Sequence, residues 1–295
     1  MKTGFALLAL GLIGATSAPH TNLNDAINSA VQPSALTPSS TASIGLFHLM
    51  RAPEQGLVTL GYVPANTKRL VIDGKDVRFA PDGLFVIGFD RDFTSSTLIT
   101  AFLSDSRNVS ERLPVRPHTW DVSVLPAQNQ HPTSDSDFQA RRPGELAQIS
   151  AARRIESDSQ GWRQHFIWPV RGRISTLFGA QRVYGKVPAA PHGGLDVAVP
   201  QGTPIVAPAD GVVILAADAP FTLEGNLLMI DHGMGLNTAF LHFSRIVVKN
   251  GDYVKQGQIV GYSGKTGRAT GPHLHWGMKW TDQRVDPMSL TGAMR

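Results

Sequence analysis

The sequence predicts a mainly β protein built in two parts joined by a short helical linker. Three observations lead there. Short apolar runs rich in valine, isoleucine and phenylalanine recur along the chain. Turn dipeptides such as Asp73-Gly74, Asp82-Gly83, Asp210-Gly211 and Gly251-Asp252 punctuate them, and only one central stretch is dense in helix formers. At 295 residues, 42% hydrophobic and 17% charged, the chain has room for two globular domains.

Residues 1–18, "MKTGFALLALGLIGATSA", carry one basic residue, an apolar run and small residues before Pro19, the pattern of a signal peptide. The run is shorter than the roughly 20 residues a membrane span needs. A cleaved signal is therefore expected, with no stable membrane span afterwards and an exported, periplasmic or secreted protein. Residues 19–45 are rich in Ser, Thr, Asn and Pro and non-periodic, which predicts a flexible lead-in. Across 46–125, "GLVTLGYV", "RLVID", "GLFVIGF", "STLITAFL" and "TWDVSVL" alternate with turn signals, as in a small antiparallel sandwich. His48 and His118 stand alone there, so this N-terminal accessory domain shows no catalytic constellation. Residues 126–165 form a linker, polar at first, in which "GELAQISAARRIESDS" predicts one short helix. From 166 to 290 strand patterns return with many glycines.

The side-chain balance is +4, which suits an anionic polymer surface at least as well as nucleic acid. No Lys/Arg run with interleaved aromatics appears, so a nucleic-acid partner is not expected. There is no cysteine, which excludes disulfides, thiolate metal sites and a cysteine nucleophile. Any metal must be held by histidine and carboxylate.

The chemistry concentrates in "GRATGPHLHWGMKW", residues 267–280. Read as a strand, it places His273, His275, Gly277 and Lys279 on one face, and Leu274, Trp276, Met278 and Trp280 on the other. The second face is a core face, so both histidines point away from it. A catalytic zinc takes about three protein ligands and keeps one position open. Upstream, "HGGLD" supplies His192 and Asp196 around two glycines, and "TAFLHFS" adds His242. Either short pattern alone is weak; together, in one β-rich region, they are a much stronger signal. His232 in "IDHGMG" is read as a turn residue, and His165 beside "FIW" as packing. "GKTGRATG" lacks a following helix, which makes it a loop edging a groove, with Arg268 exposed, rather than a phosphate loop.

Residues 168–290 resemble the LytM/lysostaphin-type zinc metallopeptidases, which cut peptide cross-links in bacterial peptidoglycan. The likeness runs through "GRISTLFGAQR", "HGGLDVAVPQGTPIVAPADGVV", "GNLLMIDHGMGLNTAFLH" and "VKNGDYVKQGQIVGYSGKTGRATGPHLHW", about 120 of the 295 residues. The resemblance implies an antiparallel β peptidase domain with a groove over its sheet. It also implies one Zn²⁺ per chain on His192, Asp196 and His275, with His242 and His273 as catalytic residues beside the metal. Stem peptides of peptidoglycan would be the substrate, attacked by a metal-activated water. Phe240 stands where relatives often have tyrosine. Asn226, Arg182 and Tyr184 are candidate substrate contacts, with surface or turn roles as the alternative. The alternative function is a non-catalytic wall-binding or amidase-activating protein of the same fold; such relatives have usually lost ligands, and here all are kept.

Overall fold

The structure, a computed structural model, describes residues 46–126 and 136–294. The expected signal and lead-in, and residues 127–135 of the linker, lie outside that range.

Seven N-terminal strands make two small antiparallel sheets. One has the order β1 (His48–Leu49), β2 (Val58–Tyr62), β5 (Leu84–Gly88). In the other, β4 (Lys75–Val77), β3 (Thr67–Ile72), β6 (Ser96–Leu103) and β7 (Asn108–Pro114) lie side by side. In β6, Leu98 faces outward while Thr97, Ile99 and Ala101 are buried, but every residue of β5 is buried. The reason is a second packing layer. A Cβ at Gly88 would lie 2.9 Å from Val285 and 3.0 Å from Trp280. One apolar cluster accordingly runs from Phe47, Phe85 and Ile87 to Trp276, Trp280 and Val285.

The C-terminal half is organised by an eight-stranded antiparallel sheet. Its order is β18 (Tyr253–Val254), β14 (Gly211–Ala216), β15 (Asn226–Asp231), β16 (Leu236–Phe243), β20 (His273–Trp280), β12 (Leu195–Ala198) and β9 (Arg173–Thr176). The short β21 (Gln283–Val285) pairs with the far end of β20. A three-stranded sheet of β13 (Pro204–Val206), β19 (Ile259–Tyr262) and β17 (Arg245–Ile246) stands beside it. In β20 the alternation predicted from sequence holds: Leu274, Trp276, Met278 and Trp280 are buried, while His273, His275 and Lys279 are half-buried.

Two elements differ from the sequence reading. The helix α1 (Ser136–Ala152) begins eight residues before the helix formers at Gly144 and carries Pro143 inside it. Its early turns are held by contacts that local propensity does not register. Arg142 forms a two-pronged ion pair with Glu224, and Glu145 accepts hydrogen bonds from Thr222 N (2.7 Å) and Oγ1 (2.6 Å). Ile149 and Ala152 then pack on Leu215, Leu227 and Met229 of the sheet. The second is β8 (Val122–Leu125), the last run of the expected sandwich. It pairs in parallel with β10 (Gln181–Tyr184), which also pairs with β11 (Val187–Pro188). His165 is exposed, and Phe166 takes the buried place beside it.

His232 is buried in the turn region expected for it, with both ring nitrogens satisfied. Nδ1–H donates to the Asp210 carbonyl at 2.8 Å, which leaves Nε2 to accept from Thr238 Oγ1 at 2.9 Å. Burial pushes its pKa down to about 4 from the ordinary 6.5. The unfolded chain therefore binds a proton between these values that the folded protein refuses, and stability falls as pH drops from 6.5 to 4. The loss from this residue is on the order of 3 kcal/mol. Urea midpoints at pH 7 and pH 4.5 should show it, and His232→Asn should remove part of the difference.

Candidate metal centre

The candidate metal centre is assembled by a strand ladder. β12 and β20 pair with Asp196 opposite His275 and Ala198 opposite His273. A carboxylate and an imidazole on one face of directly opposed residues sit within reach of each other without any loop to place them. His192 arrives from the segment before β12. Gly194 lets it close in, since a Cβ there would lie 2.6 Å from the Trp276 carbonyl and 2.7 Å from His275 Nε2.

Three donor atoms converge. His192 Nε2 and His275 Nδ1 are 3.0 Å apart, His275 Nδ1 is 2.9 Å from Asp196 Oδ1, and His192 Nε2 is 3.2 Å from the same oxygen. A tetrahedral ion with bonds of 2.0–2.1 Å separates its donors by about 3.3 Å, so the trio fits one zinc with small outward movement. Proton placement fits as well. His192 Nδ1–H donates to the Leu177 carbonyl at 3.0 Å, which leaves Nε2 as the free donor. Burial opposes charge on Asp196, yet the His192 and His275 rings beside it hold its carboxyl well below the usual range, so it enters as an anion. Burial also works against the charged His192 ring, but Asp196 beside it keeps that ring above its ordinary value. In His275 burial wins, and the pKa is lowered.

His242 and His273 flank the trio. In the β15–β16 pairing, Asn226 faces Phe243 while Leu228 faces Phe240, which leaves one extra residue on β16. His242 occupies this bulge at φ 66°, and the bulge turns its ring toward His273, centroid to centroid 4.7 Å. Each ring donates Nδ1–H to a carbonyl at 2.8 Å, His242 to Thr266 and His273 to Gly271. Neither Nε2 forms a hydrogen bond with another described residue. His273 Nε2 lies 3.8 Å from Asp196 Oδ1, and burial takes His242 down to about 4, so its ring is neutral at neutral pH.

These five side chains open into a groove of about 790 Å³, walled by Arg182, Tyr184, Arg268 and Thr270, with Asp121 and Ser123 at its edge. Of the three candidate contacts, Arg182 and Tyr184 line this groove, whereas Asn226 is turned toward the β16 bulge. Its Nδ2 donates to the Phe243 carbonyl at 2.8 Å and its backbone N–H bonds Thr266 Oγ1 at 2.9 Å, so it braces the bulge from behind.

Support for the site also comes from the N-terminal part, which the motifs gave no reason to suspect. Arg91 Nε donates to the Gly179 carbonyl at 2.8 Å and Nη2 to Gln181 Oε1 at 3.0 Å. Trp120 packs edge-on against Phe178, 5.7 Å between centroids, and lies directly over Gly179, which has φ 75°. Together they hold the 177–181 turn, whose Leu177 carbonyl orients His192.

The model of peptidase family M23 matches residues 190–287. A crystal structure described as a peptidase M23 from Pseudomonas aeruginosa is 31% identical, with a TM-score of 0.63. The match covers 83% of this chain and 97% of that one. The chain belongs to peptidase family M23. Among curated relatives, peptidoglycan DD-endopeptidase ShyA of Vibrio cholerae is 46% identical over 123 residues, 41% of this chain and 28% of that protein. ShyB of the same organism is 38% identical over 138 residues, 47% of this chain and 28% of its own length. The matched region thus spans less than a third of either relative.

If the 177–181 turn orients His192 as described, Trp120→Ala or Arg91→Ala should weaken zinc binding by about ten-fold. Competition against a chromogenic chelator measures this. Unchanged affinity in both variants would mean that the turn keeps its place unaided.

Proposed function

We propose that this chain is a zinc-dependent endopeptidase that hydrolyses peptide cross-links of bacterial peptidoglycan. The observation that carries the reading is the convergence of His192 Nε2, Asp196 Oδ1 and His275 Nδ1 beside two imidazoles with free Nε2 atoms. Zinc bound there would polarise a scissile carbonyl and lower the pKa of a coordinated water toward neutrality. His242, kept neutral by its burial, is able to take a proton at Nε2. His273, with Nδ1–H tied to Gly271, presents its own Nε2 to the same space and, once protonated, stabilises a developing oxyanion. The groove walls, with Arg182 and Tyr184, would hold the peptide across these groups.

The names of the Vibrio relatives favour a bond between D-amino acids over a Gly–Gly bond as the target. An export signal at residues 1–18 would deliver the protein to the periplasm or beyond, where that substrate lies. A non-catalytic binder of the same fold has less support, because all three ligands and both histidines are present and oriented.

Purified murein sacculi digested with the zinc-loaded protein should release cross-link cleavage products, and a chelator should stop this. His273→Ala should keep one zinc per chain by atomic absorption but cut the release rate by at least about 100-fold. Full activity in that variant would remove His273 from the mechanism. No product from the zinc-loaded wild type would remove the peptidase reading.

A further inference from the structure

The histidine face of β20 continues past the metal centre into a cluster of positive charge. Beyond His275 it carries Gly277, without a side chain, and then Lys279. Lys279 stands directly opposite Arg284 of β21 on one side and Asn237 of β16 on the other. Arg153, just after α1, reaches across to Asn237 Oδ1 at 3.3 Å. Three cations therefore share one patch, and none forms an ion pair with another described residue. The acids around the same cavity are engaged elsewhere: Glu156 with Arg78, Asp282 with Lys75, Glu224 with Arg142, and Asp231 with Ser157.

Such a cluster costs stability in the free protein. Like charges directly opposed across a ladder repel. Burial, reinforced by the neighbouring cations, takes Lys279 down to about 8 and Arg153 to about 10. An anion placed among them would relieve both the repulsion and the unmet hydrogen-bonding capacity.

The space for one exists. A cavity of about 980 Å³ lies between α1 and the sheet, lined by Arg153, Lys279 and Arg284. It meets the peptidase groove at His275, Glu224 and Leu241, which line both. Glycines keep the junction open. Gly277 separates His275 from Lys279, and the Arg284 stem runs 3.4 Å from where a Gly193 Cβ would sit, one residue from His192. Four residues along a strand is about 13 Å. An extended peptide covers the same distance in about four residues.

We propose that Arg153, Lys279 and Arg284 form a subsite for a carboxylate carried by the peptide substrate, about four residues from the bond that is cut. The identity of the ligand rests on the peptidase reading; the anion site itself rests on the patch and its cavity. Its role is to fix the register of the peptide across the metal centre.

The test is equilibrium binding of the zinc-loaded full chain to two stem-type peptides with a reduced, uncleavable amide at the target bond. One carries a free carboxylate four residues away, and the other a carboxamide there. The carboxylate peptide should bind about ten-fold more tightly at low salt, and added salt should erode the difference. The preference should vanish in Lys279→Met/Arg284→Met and survive in Arg112→Met, a control on β7. Lys279→Met alone, which keeps the apolar stem and removes the repulsion, should raise the Tm of the free protein by about 1–3 °C. A lysine with a merely structural role would lower it. Equal binding of the two peptides, no binding of either, or a preference that survives the double variant would overturn the subsite. Because binding is read rather than turnover, an intact preference without murein hydrolysis would count against the peptidase reading alone.

Discussion

The whole site depends on the register of the β12–β20 ladder. With Asp196 opposite His275, carboxylate and imidazole share one face; a slip of one residue would send β20's histidines into the core. The opposite face forbids that slip. Leu274, Trp276 and Met278 are fully buried, and each such side chain stabilises the register by about 1.5–3 kcal/mol. No local turn or loop could hold two ligands 79 residues apart in sequence with comparable stiffness.

Around that rigid pair, the remaining groups occupy conformations and environments that oppose folding. His242 sits at positive φ in a bulge, Gly194 occupies a place no side chain fits, and a carboxylate with three imidazoles is withdrawn from bulk water. Each is unfavourable alone and tolerated because packed elements over-determine the geometry. The backing comes from several directions. Asn226 and Thr266 brace the bulge from behind, while the Glu224 carbonyl accepts the His242 N–H at 2.9 Å and its carboxylate is clamped by Arg142 of α1. On the other side, Arg91 and Trp120 hold the turn that orients His192. The N-terminal strands and the helix thus act on the site through the backbone segments beside its histidines, without contributing a donor atom.

The cationic row beyond His275 fits the same picture. Strand β20 sets His275 opposite Asp196 of β12 and Lys279 opposite Arg284 of β21, so the candidate metal centre and the charge cluster share one rigid strand. Their separation is fixed by strand geometry, a stiffness that a loop-borne arrangement would lack.

The sequence determined the class of fold and the apolar and polar faces of "HLHWGMKW", which follow from period-two alternation, a local property; the candidate ligand set was implied by the resemblance to a peptidase family and not by spacing alone. The sequence misjudged the start of α1, because an ion pair with Glu224 and hydrogen bonds from Thr222 outweigh a polar, proline-containing stretch. The place of Asn226 was hidden for a similar reason: its partners, Phe243 and Thr266, are brought near by a bulge that no spacing announces. Only the tertiary structure decided that β8 pairs with β10, that Arg91 and Trp120 support the turn beside His192, and that three cations with no ion pair to another described residue meet beside the candidate metal centre. Each of these depends on contacts between segments far apart in the chain. Such contacts are set by how sheets pack and register, and no stretch of sequence encodes that alone.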